Sequence, residues 1–205
     1  MARLAVWFDL DGTLLDIDDY AAILERACDA AGIEPTDEFL SEYDRGFFEA
    51  FEAHEPDPYR VGAERAIAAA GGDAEPAYFV DALRIAEFDE AETPASVHDA
   101  LAELSGTDDV SVGVLTNGVA EWQRGKLGTN GLTEYVDAIL TSYDAGAHKP
   151  DSAVFRRAEE LLEADEHVMV GDDFDADVAA SREFGWRGVH VEGPDSVADA
   201  VAEFL

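Results

Sequence analysis

Five short apolar runs punctuate this chain, at 4–8, 110–115, 136–140, 168–170 and, more weakly, 188–191. Runs this brief, bounded by glycine and polar residues, read as strands buried on both faces. Between them the period becomes helical. Val97, Leu101 and Leu104 share a face after Pro94, which suits a helix start. Val154, Phe155, Leu161 and Leu162 mark another helix. Val178, Ala179 and Phe184 mark a third, ended by Gly185, and Val197, Val201 and Leu205 a last one. Strands alternating with helices predict an α/β fold: a doubly wound, Rossmann-like parallel sheet covered on both faces.

Residues 16–90 break the alternation. Tyr20, Ile23, Leu24 and Ala27 form a helical stripe that ends near Gly32. Leu40, Tyr43, Phe47 and Phe51 form a second, ending near Pro56 and Pro58. Ile67 with Ala68, and Phe79 with Leu83, mark two more helices around Gly71-Gly72. The expected organisation is therefore an α/β core made of 1–15 and 91–205, with an all-helical domain, 16–90, inserted after the first strand.

The charge narrows the setting. The chain has 205 residues and a formal net charge of -34, yet 47% of it is hydrophobic, so it has ample material for a core. The acids are scattered, which reads as a solvated acidic surface. Lysine appears only as Lys126 and Lys149. An acidic, lysine-poor folded chain suits concentrated salt, where the Debye length falls to about 3 Å at 1 M; the expectation is a halophilic protein. Nucleic acid is not an expected partner, because backbone binding needs a basic footprint. Cys28 is the only cysteine, so neither an intrachain disulfide nor a cysteine metal cluster is available. With no signal peptide and no spanning segment, no membrane contact is expected and a cytoplasmic location is.

Polar residues interrupt the apolar runs in a telling pattern. Asp9 follows the first run, Thr116-Asn117 the second, and Gly171-Asp172 the fourth. These are carboxyl ends of parallel strands, where open α/β sheets bind ligands. A carboxylate nucleophile can displace at phosphorus and form an aspartyl-phosphate. Attack brings anion towards anion, so a cation must neutralise the developing charge, and Mg²⁺ favours hard oxygen ligands and often bridges carboxylates and phosphate. Lys149 and the Thr116 hydroxyl can hold phosphoryl oxygens. Asp11 can reach the leaving oxygen, and crowding by other acids would help keep it protonated. Asn117 can contact phosphate or cap the following helix. Asp173 and Asp175 read as loop or helix-start acids, and His148 as incidental.

DLDGTLL, LTNG, HKP and VGDDFDAD, in this order, resemble the four motifs of the haloacid dehalogenase superfamily. The resemblance covers most of the chain outside the helical insert. It implies that Asp9 is the nucleophile and Asp11 the general acid, then the base for water. It implies that Asp9, the Asp11 main-chain carbonyl and Asp172 hold Mg²⁺, with Asp177 supporting the metal directly or through water. The backbone of Gly12 and Thr13 would cradle phosphate, and 16–90 would be the helical cap of the first cap class. Such a protein is a phosphomonoester hydrolase of small phosphorylated metabolites.

Other readings differ in particular residues. The 2-haloacid dehalogenases of the same superfamily attack carbon without a metal and lack a carboxylate at the position of Asp11, since halide leaves without a proton. A catalytically silent phosphate-binding module could have lost Asp9 or Asp11, and both are present. A mutase would return phosphate to a sugar. For substrate, TNGVAEWQRGKLGTNGL is similar to a segment of a subgroup that includes pyrimidine nucleotidases and N-acylneuraminate phosphatases. That implies a nucleotide or sugar phosphate, with phosphoglycolate as an alternative. Arg45, Arg60 and Arg65 are the insert's candidates for meeting an anionic substrate.

Overall fold

The structure is a computed structural model and describes residues 3–17 and 19–204. Its five strands are β1 (Leu4–Phe8), β2 (Val110–Thr116), β3 (Ala138–Thr141), β4 (Glu166–Gly171) and β5 (Arg187–His190). They form one sheet in the order β3-β2-β1-β4-β5, and every pairing is parallel. This is the doubly wound sheet expected from the sequence. β3 starts two residues later than the apolar run. Val136 follows the tight turn Leu132–Tyr135, and Asp137 is spent on Val112, whose N–H donates to its carboxylate at 2.9 Å.

The helices, in chain order, are α1 (Tyr20–Ala31), α2 (Asp37–Glu52), α3 (Pro58–Ala69), α4 (Pro76–Glu90), α5 (Ala95–Ser105), α6 (Ala120–Thr129), α7 (Ser142–Ala145), α8 (Ser152–Leu161), α9 (Ala180–Phe184) and α10 (Val197–Val201). Leu205, expected to extend the last apolar stripe, lies outside the described residues.

The sheet's side chains alternate between two cores. Val6, Phe8, Val112, Val114, Val168 and Val170 pack on one face with residues of α5 and α10. Ala5, Trp7, Leu115, Leu140 and Met169 pack on the other with Val154, Phe155 and Trp186. Trp7 lies across Gly113 of the neighbouring strand so closely that a Cβ there would stand 2.4–2.8 Å from its ring, and only glycine fits.

The chain divides into two compact units, Met1–Ile17 with Ala91–Leu205, and Asp18–Glu90. The break falls slightly beyond the expected 15/16 boundary. Asp16 and Glu92 exchange backbone hydrogen bonds of 2.9 and 3.1 Å, which ties the start of that segment to the sheet unit. The second unit is all helical. In α2 the buried residues are Phe39, Tyr43, Gly46 and Ala50; of the stripe read from the sequence Tyr43 is buried, while Leu40, Phe47 and Phe51 are half-buried. The crossing with α3 is close. Gly46 and Gly62 let α2 and α3 approach until a Cβ on Gly62 would stand 2.9 Å from the Tyr43 carbonyl oxygen. Ala68 faces solvent, and Tyr20 is 39% exposed, with its side chain beside that of the buried Tyr43.

Candidate active site

Four segments converge at the carboxyl edge of the sheet. Asp9 leaves β1 with its N–H still bonded to Val170 O at 2.9 Å. The chain then turns on Leu10, whose carbonyl accepts from Leu14 N and Leu15 N, both at 2.9 Å. Gly12 sits in the turn at φ 80, and a Cβ there would meet the Asp172 carboxylate at 2.5 Å. Gly12 is thus demanded twice, by conformation and by the neighbouring acid. Thr13, fully buried, donates its hydroxyl to Asp172 Oδ1 at 2.8 Å and accepts from Asp172 N at 3.1 Å.

Beyond β4 the segment Phe174–Ala179 winds as a π-helical turn, with the Ala180 N–H reaching back five residues to Asp175 O. This turn carries Asp177 inward to complete burial, and a Cβ on Gly171 would collide with its carboxylate. One carboxylate oxygen each from Asp9, Asp172 and Asp177 lie within 4.8 Å of one another. Asp173 and Asp175 are exposed and outside that group; Asp173 Oδ1 instead caps the turn, accepting from Asp175 N and Ala176 N at 2.9 Å.

Lys149 is buried at the centre. Its ammonium donates to Asp177 Oδ1 at 2.6 Å and to Leu115 O at 2.9 Å, and stands 2.9 Å from Asp9 Oδ1. Two of its three donors make hydrogen bonds, to Asp177 and Leu115, while Asp9 Oδ1 is paired with it by charge and accepts no hydrogen bond. The sequence expectation gave Lys149 to the phosphoryl group; in the structure its ammonium lies among Asp9, Asp177 and the carbonyl of Leu115. Asn117 was expected to contact phosphate or to cap the following helix. Its side chain donates to Lys149 O at 3.0 Å and accepts from Lys149 N at 2.8 Å, so it holds the lysine segment in place. Thr116 is buried and its hydroxyl accepts from Gln123 Nε2 at 3.0 Å, leaving its own proton to donate. His148 makes an edge contact with Tyr143.

Burial is the main electrostatic force on this group. It raises the Asp9 carboxyl above its usual range, against the pull of Lys149. It pushes Asp177 up to about 7, again opposed by Lys149 and aided by Asp9. Burial works against the charge of Lys149, but Asp9 and Asp177 outweigh it and raise that group. One ammonium therefore serves two buried acids, a set that is one positive charge short.

Asp11 has other company than expected. Crowding by acids was to surround it; its direct partners are instead donors from α6. Lys126 Nζ reaches its two oxygens at 2.6 and 2.7 Å, and Gln123 Nε2 donates to Oδ2 at 2.8 Å. Neither Lys126 nor Gln123, nor the hydroxyl of Thr13, stood among the candidates from sequence. A signal for Lys126 was available: the scarcity of lysine that singles out Lys149 applies equally to it. The insert's arginines are engaged on the helical surface, Arg45 with Glu42, Arg60 with Glu64, and Arg65 with both Glu42 and Glu49.

The family model described as haloacid dehalogenase-like hydrolase matches residues 4–185. A ribulose-1,5-bisphosphate 5-phosphatase from Halopiger xanaduensis is 30% identical over 221 residues, spanning 96% of this chain and 87% of that protein. Among solved structures, a 2-haloacid dehalogenase from Pseudomonas syringae superposes with a TM-score of 0.74 at 24% identity over the whole of both chains. The HAD-hydrolase YfnB from Bacillus subtilis, solved bound to magnesium, does so at 0.73 and 20% identity, over 98% of this chain and 100% of that one. The structural likenesses speak for the fold, and the family model and the full-length relative for descent: this chain belongs to the haloacid dehalogenase-like hydrolases.

Proposed function

We propose that this hydrolase is a divalent-metal-dependent phosphatase that works through an aspartyl-phosphate on Asp9. The observation that carries the reading is the grouping of Asp9, Asp172 and Asp177 beside a single buried ammonium, with a further carboxylate, Asp11, two residues from Asp9. The Asp9 carboxylate attacks phosphorus and the alkoxide leaves, taking a proton from Asp11. Asp11 then removes a proton from water, which attacks phosphorus, releases phosphate and restores Asp9. Lys149 holds Asp9 in line and limits repulsion between nucleophile and substrate. The Thr116 hydroxyl and the main-chain N–H groups of Asp11 and Asn117 are the donors for phosphoryl oxygens, those of Gly12 and Thr13 being engaged by Leu15 O and Leu10 O.

The acid group fits a hard cation. Among the described residues, Asp177 Oδ2 is buried and accepts no hydrogen bond, and the three carboxylates exceed the one lysine in charge. Asp9, Asp172 and the Asp11 carbonyl would hold Mg²⁺, with Asp177 behind them. Bound there, it would neutralise the charge that builds on the phosphoryl oxygens. A halide needs neither a proton nor this cation, which favours phosphate over the dehalogenase alternative. The substrate we propose is a small sugar phosphate, supported by the similarity to a ribulose-bisphosphate phosphatase. A panel of phosphorylated sugars, nucleotides and phosphoglycolate, assayed for phosphate in molar KCl with Mg²⁺ or chelator, tests it. Sugar phosphates should turn over fastest, and only with metal. Halide release from 2-haloacids without phosphate release from any ester would overturn the reading.

A second test uses Asp177. Its folded pKa of about 7 lies above the roughly 3.9 of an unfolded aspartate. The stability tied to its proton is therefore full below about 4 and lost as pH rises through about 7. The metal-free protein should lose melting temperature between pH 5.5 and 8, and Asp177→Asn should flatten that slope. Mg²⁺ should raise the melting temperature more at pH 8 than at pH 6, since at pH 8 it displaces no proton. An equal Mg²⁺ effect at both pH values, at constant KCl, would contradict the assignment.

A further inference from the structure

Lys126 and Gln123 lie three residues apart on α6 and so share one face. Both are 2% exposed, yet both end on the carboxylate of Asp11, whose side chain is 38% exposed. Three contacts from α6, at 2.6, 2.7 and 2.8 Å, grip that carboxylate through both oxygens. Gln123 also reaches Thr116 Oγ1 at 3.0 Å, linking the Asp11 carboxylate to the end of β2. The other lysine of the chain, Lys149, is buried against Asp9 and Asp177. In a chain of net charge -34, whose remaining basic side chains are arginines, both lysines are buried against acids of this site.

A buried ammonium is costly unless paired, and a surface bridge needs no buried partner. Surface arginines here pair readily with exposed acids, so charge balance alone gives no reason to bury Lys126. What its burial does achieve is geometric: a carboxylate held from both oxygens by a buried fork cannot rotate. We infer that Lys126, with Gln123, is a positioning residue that sets the orientation of the Asp11 carboxylate towards the leaving-group oxygen. The inference rests on Asp11 handling the leaving-group proton, as proposed above. It assigns to α6 a role on the leaving-group side of the site matching that of Lys149 on the nucleophile side.

The test is a leaving-group comparison in a double-mutant cycle. Lys126→Met keeps the apolar stem and removes the grip; Gln123→Glu keeps the shape and turns a donor into an acceptor facing Asp11. Each is assayed on glycerol phosphate, whose alkoxide needs a proton, and on 4-nitrophenyl phosphate, whose leaving group does not. Misplacing Asp11 should lower kcat/KM about tenfold or more beyond the loss on the aryl ester, within the ~10²–10⁴ of general acid catalysis. Asp11→Asn should show the same selectivity, and adding Lys126→Met to it should cost little more. Equal losses on the two esters, or losses that multiply with those of Asp11→Asn, would reduce Lys126 to a structural residue and overturn the inference. If Lys126→Met fails to fold, Gln123→Glu carries the same cycle. A wild-type protein inactive on every ester would instead sink the phosphatase reading. Selectivity in Asp11→Asn but in neither α6 variant would sink this inference alone.

Discussion

Asp9→Asn is expected to yield a folded protein that releases no phosphate from any ester, with kcat/KM down by the order of 10⁴–10⁶, as when a nucleophile is removed elsewhere. The amide matches the carboxylate in shape and still sits against Lys149, 2.9 Å from Asp9 Oδ1. It has no anionic oxygen to attack phosphorus and offers a cation much less charge. Stability should move little. The substitution removes a carboxyl whose ionised form burial already disfavours, while Lys149 keeps Asp177 at 2.6 Å. The metal-free melting temperature should therefore stay within a few degrees, and the increment from Mg²⁺ should shrink. A purified Asp9→Asn protein with wild-type turnover, contamination excluded, would remove Asp9 from the mechanism. Loss of the fold would instead assign Asp9 a structural place between β1 and Lys149.

The sheet was legible because burial on both faces leaves continuous apolar runs, and three polar interruptions fell at strand ends that do converge. What sequence could not supply was which partners those polar groups find. Lys149 has the right address, but that its ammonium bonds Asp177 and Leu115 beside Asp9 depends on the π-helical turn at Phe174–Ala179, a distortion with no local signature. The helical unit misled in another way. Aromatic residues attract a periodic reading, so Phe47 and Phe51 looked like core. The tightest contact of α2 is made by Gly46, which has no side chain to count, against Gly62 of α3. Lys126 was hidden by distance in sequence, 115 residues from the Asp11 carboxylate it grips. Its rarity marked it, as did its place in TNGVAEWQRGKLGTNGL.

That rarity leads to the second large effect, which concerns salt. At about 0.01 M the Debye length is ~30 Å, comparable to a domain, so the acids of a chain carrying -34 repel one another across the whole molecule. Folding concentrates that charge, and repulsion favours the expanded chain. Molar KCl shortens the range to ~3 Å and removes most of the penalty. The exposed pairs, such as Arg60 with Glu64 and Arg26 with Glu90, offset little of this, since pairs in water are each worth about 0–1 kcal/mol and are screened as well. The site behaves differently: Lys149 with Asp177 and Asp9, and Lys126 with Asp11, lie in or against the protein interior, where screening is weak. Salt should thus stabilise the surface without loosening the site. We expect the melting temperature to rise by about 10 °C or more from dilute buffer to 2 M KCl, equivalent to a few kcal/mol for a chain of this size. The apparent KM for a phosphate ester should fall over the same range, as approach of anion to anion eases, until ion competition sets in. NaCl should act in the same direction. Sucrose at matched osmolality should do less, because it is excluded from the surface without screening charge. A melting temperature flat or falling with KCl would show that the acidic surface is not a salt adaptation and would point to a basic macromolecular partner instead.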